Sequence, residues 1–204
     1  LHPARNRQSL IDFAVQNVGF KPAYIPQWDV EYDFTTLQRI DVASRFLNLF
    51  EPTRYMTEPS MAISDPLHVV CPRVFSVLDH VMGNDVEARD HFLNWLAFIW
   101  QRRVKAKTAW VMHGTQGTGK GLLFHNIIRP LCGEKLAQIR TLDMLEEPYN
   151  GYMQHTLILF IDESTTDKIK NLSKVVNKVK NWVTDPTIPV RIMHLDQFDA
   201  PNFA

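Results

Sequence analysis

The sequence predicts an α/β fold in which helices flank a parallel sheet, and three observations support it. A glycine-rich loop follows an apolar run at Thr108–Met112 and precedes a helical pattern that extends from Lys120 to about Arg129. A second apolar run, Leu157–Ile161, ends in two acids, and an amphipathic pattern then spans Lys168–Thr184. Strand-like segments that alternate with helical ones are typical of parallel sheets, because parallel strands need long crossover connections.

The composition permits a substantial core and excludes several classes of protein. The chain has 204 residues, enough for one large or two small domains, and 45% of them are hydrophobic. Lysine plus arginine equals aspartate plus glutamate at 22 each, so any contact with nucleic acid must come from a local patch. The two cysteines form no disulfide framework and no metal spacing. No apolar run is long enough to span a bilayer, so we expect no membrane partner and an intracellular location.

The glycine-rich loop has the spacing of a phosphate-binding loop, G-x-x-x-x-G-K. Backbone N–H groups can converge on a polyphosphate only where side chains stay out of the way, and the following helix adds the positive end of its dipole. Lys120 then supplies a cation for the β- and γ-phosphates of ATP and is expected to be catalytic. The predicted nucleotide-binding residues are Gly114, Thr115, Gln116, Gly117, Thr118, Gly119, Lys120 and Gly121.

The loop departs from the usual motif at one position. The residue after the lysine is normally Ser or Thr, whose hydroxyl binds Mg²⁺, but this chain has Gly121 there. Thr115 and Thr118 lie in the loop, and in the usual geometry they point elsewhere. We therefore expect weaker metal affinity with nucleotide binding retained.

Two acids, Asp162 and Glu163, follow the apolar run Leu157–Ile161 directly. Such a strand end aims side chains into the crevice where α/β sheets bind ligands. Asp162 is expected to hold Mg²⁺ through water, and Glu163 is expected to be catalytic by polarising the attacking water. The acids lie 42 residues after Lys120, which leaves room for about one helix and one strand.

The first hundred residues show mainly helical patterns. A short pattern covers Ser9–Val18, another begins at Arg73, and a long, mostly apolar one runs to Gln101. Asn84 and Glu87 have the spacing of a capping pair for that last helix. We therefore predict a mainly helical N-terminal region at 1–104 and an ATPase core at 105–204.

Several segments leave alternatives open. Arg45–Phe50 fits either a strand or a short helix, and Thr187–His194 fits a strand or a hairpin. The basic connector Arg102–Lys107 suits either capping of a helix C-terminus or contact with a phosphate. The lysines within Lys168–Thr184 fit a solvated helix face.

The motifs resemble a known family. The run Gly114–Gly121 followed by Ile161–Ser164 is similar to the superfamily 3 helicase motor, in the version found in phage and plasmid primase-helicases and their poxvirus relatives. The segment Leu93–Gln101 resembles the helix that precedes the motor in those proteins, and Phe46–Phe50 shows a weaker likeness. The resemblance covers roughly residues 45 to 204.

The resemblance implies more than the residues do. It implies an AAA+-like P-loop NTPase fold, ATP and Mg²⁺ as ligands, a homo-hexamer in the full-length protein, and movement along single-stranded DNA. It also implies a DNA-contacting hairpin at Thr187–His194, where Arg191 and His194 are the nearest candidates. The expected sensor asparagine and arginine finger lie beyond Ala204, so we expect a segment of a longer polypeptide, truncated before its sensor strand. The cell would be a phage- or virus-infected host or a plasmid-bearing cell.

Two other functions compete with a helicase motor. A P-loop nucleotide kinase carries G-K-G, as this chain does, although Leu122 stands where such kinases usually have Thr. A non-helicase AAA+-type ATP switch or loader would tolerate the absence of a hydroxyl at Gly121. ATP hydrolysis with and without single-stranded DNA discriminates among the three.

Overall fold

The computed structural model describes residues 27–58, 64–162 and 169–204, together with Gln16. Two compact units divide the chain: one contains Leu1–Glu31 and Gln38–Leu49, and the other contains Tyr32–Leu37 and Phe50–Ala204. The pattern at Ser9–Val18 lies, apart from Gln16, outside the described residues. The predicted division near residue 104 stays a prediction.

The described part of the smaller unit is a three-stranded sheet. Strand β1 (Asp29–Glu31) pairs in parallel with β3 (Phe46–Asn48), and β2 (Ile40–Asp41) pairs antiparallel with the other edge of β3. The strand interpretation of Arg45–Phe50 is thus confirmed over three residues.

The larger unit contains the predicted nucleotide motifs. Its elements in chain order are α1 (Arg54–Thr57), α2 (Leu67–Val70), α3 (Pro72–Val81), α4 (Val86–Arg102), α5 (Lys120–Leu122), a π-helical segment (Leu123–Ile128), α6 (Arg129–Cys132), β4 (Ala137–Thr141), 3₁₀ helices at Asp143–Glu146 and Gly151–His155, β5 (Ile158–Asp162), α7 (Leu172–Thr184), β6 (Thr187–Val190) and β7 (Phe198–Pro201).

Helix α4 begins one residue later than its sequence pattern predicts. The cap is Asp85, whose Oδ1 accepts the backbone N–H of Ala88 at 3.0 Å. The predicted capping pair of Asn84 and Glu87 is therefore wrong. Asn84 has a φ of +61°, a left-handed turn conformation that asparagine tolerates, and this places Asp85 at the helix start.

An arginine joins α3 to α4. Arg89 donates to Asp79 at 2.6 Å and to Asp90 at 2.9 Å, and its guanidinium lies 4.4 Å from the ring centroid of Phe75. Hydrogen bonds to both carboxylates, Asp79 first, raise the pKa of Arg89. This contact fixes the angle between the two helices that precede the loop.

Strands β4 and β5 form a parallel pair with both faces covered. The register aligns Ala137 with Ile158 and Thr141 with Asp162. Side chains alternate along β5: Ile158 and Phe160 pack against one buried cluster, and the intervening side chains pack against another. The first cluster is built on Phe34, Phe50, Leu78, Phe92, Ile99, Leu123, Phe124, Ile128, Cys132, Leu136, Ala137 and Leu157. The second is built on Leu145, Met153, Val175, Trp182, Ile188, Val190 and Ala200.

The predicted strand at Thr108–Met112 is wrong. Trp110 and Met112 pack against the first cluster while Val111 is 86% exposed, so the side chains alternate as a strand requires. Among the described residues, however, the segment has no ladder partner. Alternation reports one buried face, whereas a strand also needs a neighbouring backbone to pair with.

The helix after the loop is longer and less regular than predicted. It continues from Lys120 through the π-helical segment to Cys132, three residues past the predicted end. In the π-helical register the backbone N–H of Arg129 donates to the carbonyl of Phe124, five residues earlier. Pro130 lacks an N–H and so removes one α-helical bond near the end of this run.

Helix α7 and the β6–β7 hairpin cover the other face of the sheet. The pattern Lys168–Thr184 forms a helix from Leu172, where Asn171 caps the first turn by accepting the N–H of Lys174 at 3.0 Å. The strand interpretation of Thr187–His194 is confirmed over Thr187–Val190, and this strand, β6, pairs antiparallel with β7 in a hairpin that extends beyond the predicted segment. No helix of the described ranges is long and apolar enough to cross a membrane.

Candidate functional site

The phosphate-loop segment closes around the side chain of Lys120. The Lys120 ammonium donates to the carbonyl of Gly114 at 3.2 Å, to the carbonyl of Thr115 at 3.0 Å and to the hydroxyl of Thr118 at 3.0 Å. The Thr118 hydroxyl donates in turn to the Thr115 carbonyl at 3.1 Å. Three of the predicted nucleotide-binding residues therefore surround the ammonium of a fourth, Lys120.

Two glycines give the loop this curvature. Gly117 has a φ of +82° and Gly119 a φ of +86°, values that side chains rarely allow. Gly119 also lies against α3, since a Cβ there would meet Cγ2 of Val81 at 3.4 Å. The backbone of the loop is thus left-handed at two residues, and α3 packs against it.

The loop offers free donors where a phosphate would bind. Within the described part of the chain, residues 116 and 117 form a turn, and the backbone N–H groups of residues 115–117 donate to no other atom. Successive free N–H groups in a turn form an anion-binding concavity, and the helix that starts at Lys120 adds its positive end. A charged phosphate is also a stronger acceptor for the ammonium than the neutral oxygens that hold it. The residues present therefore fit a polyphosphate group.

The structure places the threonines differently from the expectation. Thr118 does not point away from the site: its hydroxyl contacts the Lys120 ammonium. At Gly121 a Cβ would meet only the ring Cδ2 of His125, at 3.9 Å, so space for a larger side chain is present. Gln116 lies exposed at the turn of the loop.

An aromatic stack ties the helix after the loop to strand β5. The rings of Phe124 and Phe160 lie 4.5 Å apart and nearly parallel, at 13°. Phe124 is one helical turn from Lys120, so the two share a helix face. Asp162 is two residues after Phe160 and therefore lies on the strand face that meets this helix. The predicted cation and the predicted metal-binding acid thus come from elements that pack directly on each other.

The acid pair is described in part. Asp162 is the last residue of β5 and stands beside Thr141 in the parallel ladder. Glu163 lies outside the described residues. No cluster of three or more His, Cys, Asp or Glu side chains forms a metal site in the described ranges. A Mg²⁺ ion bound here would use Asp162, phosphate oxygens and water, the oxygen ligands that it prefers.

The two predicted DNA contacts lie in the connection between β6 and β7. Arg191 directly follows β6, and its guanidinium lies 5.7 Å from the ring centroid of Tyr149. His194 is exposed with a φ of +64°. The structure does not record a contact between these two side chains and the loop.

Sequence reasoning missed the roles of two lysines. Lys105, in the basic connector, donates to the carbonyl of Trp182 and to that of Asp185, the latter at 2.8 Å. It therefore caps the C-terminus of α7 and not that of α4. Lys178 does not belong to a solvated face: it donates to the carbonyls of Leu145 at 2.9 Å and Glu147 at 3.2 Å. Burial is the main cause that lowers the pKa of each lysine. A local pattern cannot reveal either role, because every acceptor lies at least 31 residues away.

Comparisons with known proteins find similarity to a family of unknown function and to a phage DNA primase-polymerase. A family model described as a family of unknown function (DUF5906) matches residues 112–204. The DNA primase-polymerase of Nitratiruptor phage NrS-1 is 31% identical over 159 residues, which cover 78% of this chain and 21% of that protein. Two apo structures of the NrS-1 C-terminal region superpose with a TM-score of 0.74 each, at 27% and 26% identity. They cover 96% and 97% of this chain, and the chain spans 46% of each solved region. This chain is therefore homologous to part of the C-terminal region of a phage DNA primase-polymerase.

Proposed function

We propose that this chain is the ATP-driven motor region of a phage-type DNA replication protein, a replicative helicase that couples ATP hydrolysis to movement along single-stranded DNA. The observation that carries the proposal is the loop that closes around Lys120, with the three successive N–H groups of residues 115–117 free to bind phosphate. The homology to a primase-polymerase region supports the replication setting.

The proposed roles follow from position. The N–H groups of residues 115–117 bind the phosphates, and Lys120 leaves its three oxygens in the loop for the more strongly charged β- and γ-phosphates. Asp162 orients the water shell of Mg²⁺, which would neutralise charge on the transferred phosphate. Glu163 positions the attacking water.

Nucleotide binding is tested by isothermal titration calorimetry with ATP. Lys120→Met is expected to raise the Kd for ATP at least tenfold, about 1.4 kcal/mol, because it removes the cation that meets the phosphates. Lys170→Met is the matched control, since Lys170 is exposed and its side chain has no part in the loop. Equal ATP affinity in the wild type and Lys120→Met would refute the proposed site.

The motor proposal is tested by hydrolysis with and without single-stranded DNA. The resemblance implies that a neighbouring subunit supplies an arginine finger, which is worth about 10³–10⁵ in rate, so we expect slow turnover by monomers and faster turnover in DNA-bound assemblies. Phosphate transfer to a nucleotide acceptor would identify a kinase. ATP binding without hydrolysis in any assembly would identify a switch or loader. Fast turnover by a monomer that ignores DNA would contradict the motor proposal.

A further inference from the structure

A second concave site lies away from the phosphate loop, between the last turns of α7 and strand β6. Its volume is about 210 Å³, smaller than the roughly 300 Å³ at which sites for drug-sized ligands begin. A cavity of this size holds part of a nucleotide, such as its base, and not a whole drug-sized ligand. The side chains that line it include Asn150, Lys178, Asn181, Trp182, Arg191 and Gln197.

One wall of the cavity is fixed by Asn150. This buried side chain donates to the carbonyl of Pro189 at 2.9 Å and accepts the N–H of Arg191 at 2.8 Å. Its backbone N–H donates to the Arg191 carbonyl at 3.1 Å. Three hydrogen bonds therefore hold the Asn150 segment to β6 and to the residue that follows it.

The opposite wall is fixed at the C-terminus of α7. The amide nitrogen of Asn202 donates to the carbonyls of Trp182 and Asp185, at 2.8 Å each. The ammonium of Lys105 donates to the same two carbonyls. Two donors from distant parts of the chain thus hold the last turn of α7, and the cavity is formed before any ligand binds.

The cavity is lined by cations that have no carboxylate partner in the described ranges. Neither Lys178 nor Arg191 forms an ion pair with a described acid. Lys178 uses two of its three N–H donors on carbonyls, and its ammonium lies 5.1 Å from the ring centroid of Trp182. The one lining carboxylate, Asp185, accepts the hydroxyl of Thr184 at 3.0 Å. A lining with two unpaired cations favours an anionic ligand.

We propose that this cavity binds one nucleotide of single-stranded DNA, with its phosphate at Arg191 and Lys178 and the polar edge of its base at Asn181 and Gln197. Side-chain amides can both donate to and accept from a base edge, and cations beside a strand track its phosphates. The proposal rests on the proposed function for its ligand class and adds a subsite that the hairpin residues alone do not define.

The test is the anisotropy of a fluorescent oligothymidylate titrated with the full 204-residue chain. Asn181→Glu places a negative charge at the cavity, whereas Asn177→Glu makes the same change one turn earlier on α7, outside it. Lys178→Gln and Lys180→Gln form a second matched pair. We expect Asn181→Glu and Lys178→Gln to raise the Kd about tenfold, and the two controls to change it less than about twofold. Loss of one phosphate contact should also reduce the slope of log Kd against log salt by about 0.7.

Every outcome decides the question. Equal weakening by both members of each pair would show non-specific attraction and overturn the subsite, as would no weakening at all. Displacement of the oligonucleotide by a poly-aspartate peptide at matched ionic strength would assign the cavity to an acidic protein partner instead. If Lys178→Gln lowers the melting temperature, Asn181→Glu still tests the proposal, because Asn181 is exposed. ATP titrations of the same variants separate this test from the proposed function: normal ATP affinity with unchanged DNA affinity refutes the subsite alone.

Discussion

Two glycines only two residues apart should respond to alanine with opposite signs. Gly119 has a φ of +86°, and an added Cβ would lie 3.4 Å from Cγ2 of Val81. Gly121 lies in the helix that follows, has no left-handed φ, and a Cβ there would meet only His125 at 3.9 Å. Alanine at Gly119 therefore strains the folded loop. Alanine at Gly121 fits the helix and lowers the conformational entropy of the unfolded chain, which stabilises the fold.

The magnitudes follow from these geometries. A left-handed conformation costs a non-glycine residue about 1–2 kcal/mol, and the 3.4 Å contact with Val81 adds little because it is close to ordinary van der Waals distance. Alanine is about 0.8–1 kcal/mol more favourable than glycine inside a helix, so Gly121→Ala should stabilise the fold by roughly that amount. The two variants should differ by about 2–3 kcal/mol in their free energy of unfolding.

Urea denaturation followed by circular dichroism measures this difference, with an unchanged m-value as the sign that the surface exposed on unfolding is the same. In a chain of this size 1 kcal/mol moves Tm by about 2–4 °C, so the two variants should melt roughly 4–12 °C apart. A Gly119→Ala variant as stable as the wild type would show that the loop does not hold the left-handed turn. A destabilised Gly121→Ala would show that the helix does not begin at Lys120.

Two further predictions concern the metal and the pH dependence. Gly121→Ser should lower the Mg²⁺ concentration needed for half-maximal ATPase activity, relative to Gly121→Ala, because it restores a hydroxyl where space exists; identical Mg²⁺ titrations of the two variants would refute this. Burial, followed by the nearby cations Lys135 and Arg140, lowers the pKa of His155 below its ordinary value of 6.5. Below pH 6.5 the unfolded chain therefore binds more protons than the folded chain, and the free energy of unfolding falls as the pH falls. Above that pH the imidazole is neutral in both states and contributes nothing to the pH dependence. His155→Phe should keep the ring contact with Tyr32 and lose less Tm than the wild type between about pH 7.5 and 5.5; an equal loss would contradict the assignment.

The sequence predicts helices better than strands in this chain, and the reason is physical. A helix satisfies its own backbone, so apolar residues at helical spacing were enough to place α3 and α7, although on α7 the buried residue is Val175 while Val176 is exposed. A strand needs a partner, and the apolar alternation around Trp110 has none in the described part of the chain. Strand β5 was predicted correctly because an unbroken apolar run is buried on both faces, as parallel strands require.

One of the two proposed sites could be predicted from the sequence and the other could not, because one is local in the chain and the other is not. The phosphate loop is local: Gly114 and Lys120 are only six residues apart, so their spacing is visible in the sequence, and in the structure the Lys120 ammonium lies 3.2 Å from the Gly114 carbonyl. The cavity beside α7 depends on the last turn of that helix, which is held by Lys105 and Asn202, whose donors meet on the same two carbonyls. Only tertiary packing brings these groups together, so no spacing rule could have found them.

Strand β5 packs against elements of both proposed sites. Its Phe160 stacks on the helix that starts at Lys120, and its Leu159 and Ile161 pack into the cluster that contains Trp182. Protein interiors are close-packed. If the helix shifts when phosphates replace the oxygens around Lys120, Phe160 must move with it, and Leu159 and Ile161 then displace the side chains packed against them. In a motor that uses both sites, β5 would therefore form a packed connection between nucleotide and DNA. The alternation of its side chains, and not any charged residue, would carry that coupling.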